Sequence, residues 1–158
     1  MTASELYPWQ QPNIQRHSLW LGASFRHWTG EDLIPTQPDP QQFAYDLFHT
    51  PFVLLSHGLE SDPILNYGNQ QALNLWQVSW QELIQMPSRH TAAPTEQQDR
   101  SRLLKQAAQQ GYINNYQGVR ISKLGRRFLV LKAQIWDVLD DQGNKYGQAA
   151  QFDQWQWL

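Results

Sequence analysis

The 158-residue sequence has no cysteine. This excludes disulfide staples, thiolate nucleophiles and cysteine-ligated zinc or iron–sulfur clusters, and it leaves the redox compartment open. Charge is also scarce: Asp, Glu, Lys and Arg make up 16% of the chain and sum to a formal −2. Such a chain exerts no long-range pull on a polyanion, so direct nucleic-acid binding is not expected. No apolar run approaches the ~20 residues that span a bilayer, and no charged-then-apolar leader opens the chain, so a cytoplasmic protein without a membrane partner is expected. A phosphate-gripping glycine loop, a nucleophile elbow and an HExxH pattern are all missing, so a small metabolic enzyme is an alternative with no motif behind it. The five histidines, His17, His27, His49, His57 and His90, are scattered rather than paired at metal-binding spacing, and no metal is expected.

What is present is aromatic and apolar. Eight tryptophans and an apolar share of 41% are enough to build the core of one domain. Residues 1–42 read as an N-terminal arm and helical extension, and residues 43–158 as the domain proper. In the extension, Leu19, Trp20, Ala23 and Trp28 suggest a short amphipathic helix over 14–28. Asp39 as cap and Pro40 at the first helical position predict a helix to His49, which Pro51 stops. Short strands follow at 52–55 and 64–67. Asn69 caps a helix running to Trp76, and Ser79 with Glu82 forms a capping box for another turn of helix. The longest helix candidate covers 95–110, with Thr95 as cap and Gly111 as its stop.

The stretch 111–151 reads as three strands broken by glycine turns, which predicts an antiparallel sheet and an α+β fold. Strict alternation in 126–139 places Phe128, Val130, Lys132, Gln134 and Trp136 on one face and Leu129, Leu131, Ala133, Ile135 and Asp137 on the other. Neither face is polar throughout, so both should be covered, by helices on one side and by the N-terminal arm or a second subunit on the other.

Several pieces in one order, YGNQQALNLW, MPSR, EQQDRSRLL, GYINNYQGVRISKLGRRF and IWDVLDDQGNKYGQAAQF, resemble the MEKHLA domain family over residues 51–152. This is a PAS-related group found alone in bacteria and at the C-terminus of certain plant homeodomain-leucine zipper proteins, and the present chain resembles the stand-alone type. The resemblance implies a PAS-like antiparallel sheet with short helices on one face, and a sensory or regulatory role in signal transduction. Some PAS-like domains hold haem, flavin or a metabolite, while others hold nothing and couple proteins, so the cofactor is unknown. A cysteinyl-flavin photosensor is excluded here by the missing thiol. Haem would require His57 or His90 as its axial ligand, although both positions also suit ordinary hydrogen-bonding roles.

The same resemblance puts Tyr67, Trp76, Trp80, Phe128 and Trp136 on cavity-lining elements, with Asn69 or Gln134 orienting a planar small organic ligand; the alternative is a filled core and a constitutive interaction module. Ser88, Arg89, His90 and Thr91 with Arg100 and Arg102 form an anion-binding candidate, Arg89 and Arg100 foremost, or else the arginines pair with Asp99, Glu96 and backbone carbonyls. Helical geometry allows only one of Arg100 and Arg102 to point inward. Arg120, Lys123, Arg126 and Arg127 flank a turn at Leu124-Gly125 and read as solvated charges guarding a sheet edge. Trp155 and Trp157 alternate with Gln as on an amphipathic strand and need cover, from the N-terminal helices or a symmetry mate. A homodimer or a signalling protein partner is therefore expected.

Overall fold

The computed structural model describes residues 6–158. After a 3-10 turn at Pro8–Gln10 come helices α1 (Pro12–Thr29) and α2 (Pro40–Phe48), strands β1 (Val53–His57) and β2 (Leu65–Gly68), helices α3 (Gln70–Trp76) and α4 (Trp80–Leu83), and a 3-10 turn at Ser88–Thr91. Helix α5 (Gln97–Gln110) leads into β3 (Tyr112–Ile121), β4 (Arg127–Leu139), β5 (Lys145–Phe152) and β6 (Gln154–Trp157). The expected caps at Asp39, Asn69 and Ser79 are all present. Helix α5 begins later than expected, after Glu96, because the Thr95 hydroxyl donates to the Glu96 carboxylate instead of capping.

The sheet is antiparallel in the order β2-β1-β5-β4-β3. Strand β6 lies on the same side of β4 as β5: Gln134 to Leu139 pair with β5, and Phe128 to Leu131 pair with β6. The tail predicted as an amphipathic strand is thus the sixth strand, and it closes what would otherwise be an open edge.

Strict alternation along β4 fails at one residue. Lys132 has φ +53°, a bulge conformation that shifts the side-chain phase by one. Phe128 and Val130 before the bulge therefore share a face with Ala133 and Ile135 after it, and all four belong to one core cluster. Trp136 and Val138 belong to the other. A second distortion, Asn115 at φ +57°, interrupts the β3–β4 register between Ile113 and Tyr116.

Both faces are covered, each by a different set of helices. On the inner face α3 and α5 pack over Val53, Phe128, Val130, Ile135 and Phe152. On the outer face α1 and α2 bring Leu21, Phe25 and Leu47 onto Leu54, Trp136 and Val138. The expected cover by the N-terminal segment is thus present within a single chain. Helix α1 is also fixed by polar contacts: the Trp28 indole donates to the Asp137 carbonyl (2.9 Å), and Ser24 Oγ accepts from the Leu139 amide (2.7 Å).

Candidate functional site

The inner layer contains a cavity in which apolar walls surround converging polar side chains. It lies under α3, α5 and the Ser88–Thr91 turn, with β1, β3, β4 and β5 as its floor. Trp76, Leu104, Val130, Ile135 and Phe152 supply apolar surface; His57, Ser88, Arg100, Tyr116, Arg120 and Gln148 supply polar groups. The space open to the centres of water molecules is about 50 Å³. That admits several waters or a short-chain molecule, whereas a flavin or haem would have to displace the walls.

Each polar group is aimed by its element. Arg100 leaves the first turns of α5 and donates to Ser88 Oγ in the 3-10 turn. Arg120 projects inward from β3, donating to the Val119 carbonyl (2.8 Å) and the Tyr116 hydroxyl (2.6 Å), with its guanidinium 5.4 Å from the Tyr116 ring centre. The two arginines are 9% and 8% exposed. Burial, and then the neighbouring Arg120, bring the Arg100 pKa down to about 10. His57 closes the β1 end, with Nδ1 2.9 Å from the Gly58 carbonyl and Nε2 3.3 Å from Gln148 Oε1. Burial is the main force holding its pKa below the ordinary histidine value. Gln148 is pinned from the other side by donating to the Leu104 carbonyl (3.2 Å).

Outside the cavity runs a larger groove between α5 and the β1–β2 loop, with about 640 Å³ of space on the same measure. His57, Ser88, Arg100, Leu104 and Gln148 line both spaces. The groove and the cavity therefore adjoin, and Arg100 stands between them.

Of the residues singled out in the sequence, Trp76, Arg100, His57, Ser88 and Thr91 line this cavity. Arg89 lies on the outer groove, paired with Asp62 (3.2 Å) and exposed. Phe128 is buried behind the cavity wall, its ring 5.2 Å from that of Trp76. Asn69 is wholly structural in its bonding: its Oδ1 accepts from the Leu54 and Ala72 amides (3.1 Å each) and its Nδ2 donates to the Phe52 carbonyl (2.8 Å). Four residues belong to the outer layer. Trp136 stacks edge-on against Phe25 of α1 at 5.0 Å, and Tyr67 packs between His17 and Trp80. Gln134 accepts from Gln151 and donates to the Tyr112 hydroxyl (3.0 Å). The Lys132 bulge accounts for Gln134 and Trp136, which alternation alone had placed beside Phe128.

Arg120 corrects the reading of the 120–127 charges as a uniformly solvated set, because it is buried while Lys123 and Arg127 form exposed ion pairs with Glu82 and Glu96. The available signal was the run Tyr116, Gly118, Arg120, whose period of two puts an arginine on the same face as a buried tyrosine. Trp155 and Trp157 pack away from the N-terminal helices: Trp155 meets Phe152 at 6.1 Å, and Trp157, still 39% exposed, lies between Phe128 (5.4 Å) and the Arg126 guanidinium (3.8 Å).

An antiparallel sheet that cups a small cavity under short helices defines a PAS-like domain. The crystal structure of a PAS domain from Colwellia psychrerythraea superposes with a TM-score of 0.60 at 14% identity, covering 70% of this chain and 92% of that one. An RNA-binding light-oxygen-voltage receptor gives 0.64 at 16% identity over 76% of this chain and 33% of its own length. A light-oxygen-voltage domain structure concerned with a flavin analogue gives 0.58 at 14% identity, over 74% and 84%. At these identities the likeness establishes the fold alone. The chain belongs to the MEKHLA domain family, whose model matches residues 15–157. A curated relative, the homeobox-leucine zipper protein ATHB-15 of Arabidopsis thaliana, is 20% identical over 152 residues, which is 96% of this chain and 18% of that protein's length.

Proposed function

We propose that this chain is a cytoplasmic sensory or regulatory module that binds a small organic molecule in the inner-layer cavity and signals through the surface carried by α1. The observation behind this reading is the convergence of buried polar groups from four elements on one space between the helices and the sheet. A fold that needed only to be solid would fill that space with apolar side chains. Strands β1 and β4 connect the two layers: His57 and Ile135 face the cavity, while Leu54, Trp136 and Val138 on the same strands carry α1 and α2. A ligand that shifts these strands by tenths of an ångström changes how α1 sits, and a second copy of the chain or a signalling partner reads that change.

The small size of the cavity favours a second reading, a constitutive interaction module with a nearly filled core. Native mass spectrometry of protein purified from its host separates the two. A stoichiometric mass released on denaturation is the expected result. A clean apo protein, unresponsive to host metabolite extract in thermal unfolding, contradicts ligand sensing and supports the interaction module.

A further inference from the structure

The charges inside the cavity are all of one sign. Arg100 and Arg120 reach it from separate elements, and each is more than nine-tenths buried. Their partners are a serine hydroxyl, a tyrosine hydroxyl and a backbone carbonyl, none of them anionic. Among the described residues no ion pair includes either arginine. The nearby carboxylates are engaged elsewhere: Glu96 with Arg127, Asp99 with Arg102, Asp62 with Arg89, and Asp137 with Lys145. Among the described residues no carboxylate lines the cavity.

Two guanidiniums that line one cavity without a carboxylate partner repel one another and have lost most of their hydration, which opposes burying both charges. Each also carries more N–H donors than the chain uses. A pair retained only for packing would be served equally well by apolar side chains of similar volume. A bound organic anion would satisfy the charge and the unused donors together, in a cavity that both guanidiniums line.

We propose that the cavity takes a small organic carboxylate, its carboxyl group held between the Arg100 and Arg120 guanidiniums and its apolar body against Val130, Ile135, Leu104 and Phe152. This rests on the ligand-sensing reading and specifies its ligand class. The planar forks of arginine match a carboxylate bidentately. The apolar walls distinguish an organic acid from inorganic phosphate, which has nothing to place against them. The available space limits the ligand to a short chain or a single ring. The outer groove carries Lys105 and the Asp137-paired Lys145 together with the carboxylates Glu60 and Asp62, so the one-sign charge belongs to the cavity and not to the groove.

The test is calorimetric and thermal titration of the full chain with acetate, pyruvate, succinate and benzoate, each beside its neutral amide, and with inorganic phosphate. At least one carboxylate is expected to bind about tenfold or more tightly than its amide, the difference that a charge-assisted bidentate contact supplies. Arg120→Met and Arg100→Met are expected to abolish that binding while leaving the unliganded protein as stable as the wild type or more so, because each removes an unpaired buried charge. A structural role for the guanidiniums predicts the opposite shift in Tm. Silence across the carboxylates, equal binding of acid and amide, or binding of phosphate alone overturns the carboxylate assignment. A neutral or cationic molecule released in native mass spectrometry overturns it too, while leaving ligand sensing in place; an apo protein that responds to nothing removes both.

Discussion

Asn69 and His17 show how single side chains hold the two layers together. Through Asn69 the start of α3 is tied to β1, since its amide satisfies two buried backbone N–H groups and one carbonyl at once. Asn69→Ala removes an N-cap and leaves those groups without partners, so a loss of about 2–4 kcal/mol is expected in urea unfolding. His17 sits between α1 and the sheet. The Ser56 hydroxyl gives its proton to Asn66 Oδ1 (2.5 Å), so His17 Nε2, 2.8 Å away, is the donor to Ser56 Oγ. Burial, and then the neighbouring Arg16, lower its pKa to about 4.

The sign of the resulting pH dependence is fixed. The unfolded chain takes up a proton near pH 6.5 and the folded one only near pH 4. Stability from this site is therefore complete above pH 6.5 and is lost as pH falls toward 4, by about 3 kcal/mol at most. His17→Gln, which keeps an N–H donor for Ser56, should flatten the stability profile across that window; an unchanged slope would show that His17 is not its source.

Among the α-helices, α5 buries the smallest share of its residues. Of the fourteen residues of α5 only Arg100 and Ala107 are buried, and the helix forms one wall of the groove adjoining the cavity. Its amides should exchange with solvent well before those of β4, and a bound ligand should slow α5 more than any other helix, because Arg100 would then be anchored at both ends. Uniform exchange across α5 and β4 would contradict this. The junction of α5 with β3 makes a sharper prediction. Gly111 has φ +80°, and a Cβ there would lie 2.3 Å from the Trp28 ring of α1. Gly111→Ala combines an unfavourable backbone with overpacking, so a destabilisation of about 2–4 kcal/mol is expected, visible as a lowered urea midpoint with an unchanged m-value.

At the scale of the whole molecule, local features were legible in the sequence and side-chain direction over distance was less so. The caps at Asp39, Asn69 and Ser79 and the α5 stop at Gly111 depend on neighbours within a few residues, so they could be read directly. Which face of β4 carries Trp136 depends on a one-residue bulge at Lys132, and nothing in a lysine announces φ +53°. Arg120 sits among surface-type charges, and only its alternation with Tyr116 marks it as inward. The match of Lys123, Arg126 and Arg127 to surface roles and of Arg120 to the cavity becomes apparent only once α5 is laid across β3 and β4. The same arrangement places a positively charged cavity on one side of the sheet and α1 on the other, and the proposed signalling route depends on that opposition.

The most direct measurement is an experimental structure of the protein purified from its host without dialysis or refolding. The account predicts density for a small organic molecule in the cavity, touching both Arg100 and Arg120. A cavity holding only water, or collapsed by apolar side chains closing across it, would contradict the claim that this domain binds a ligand there.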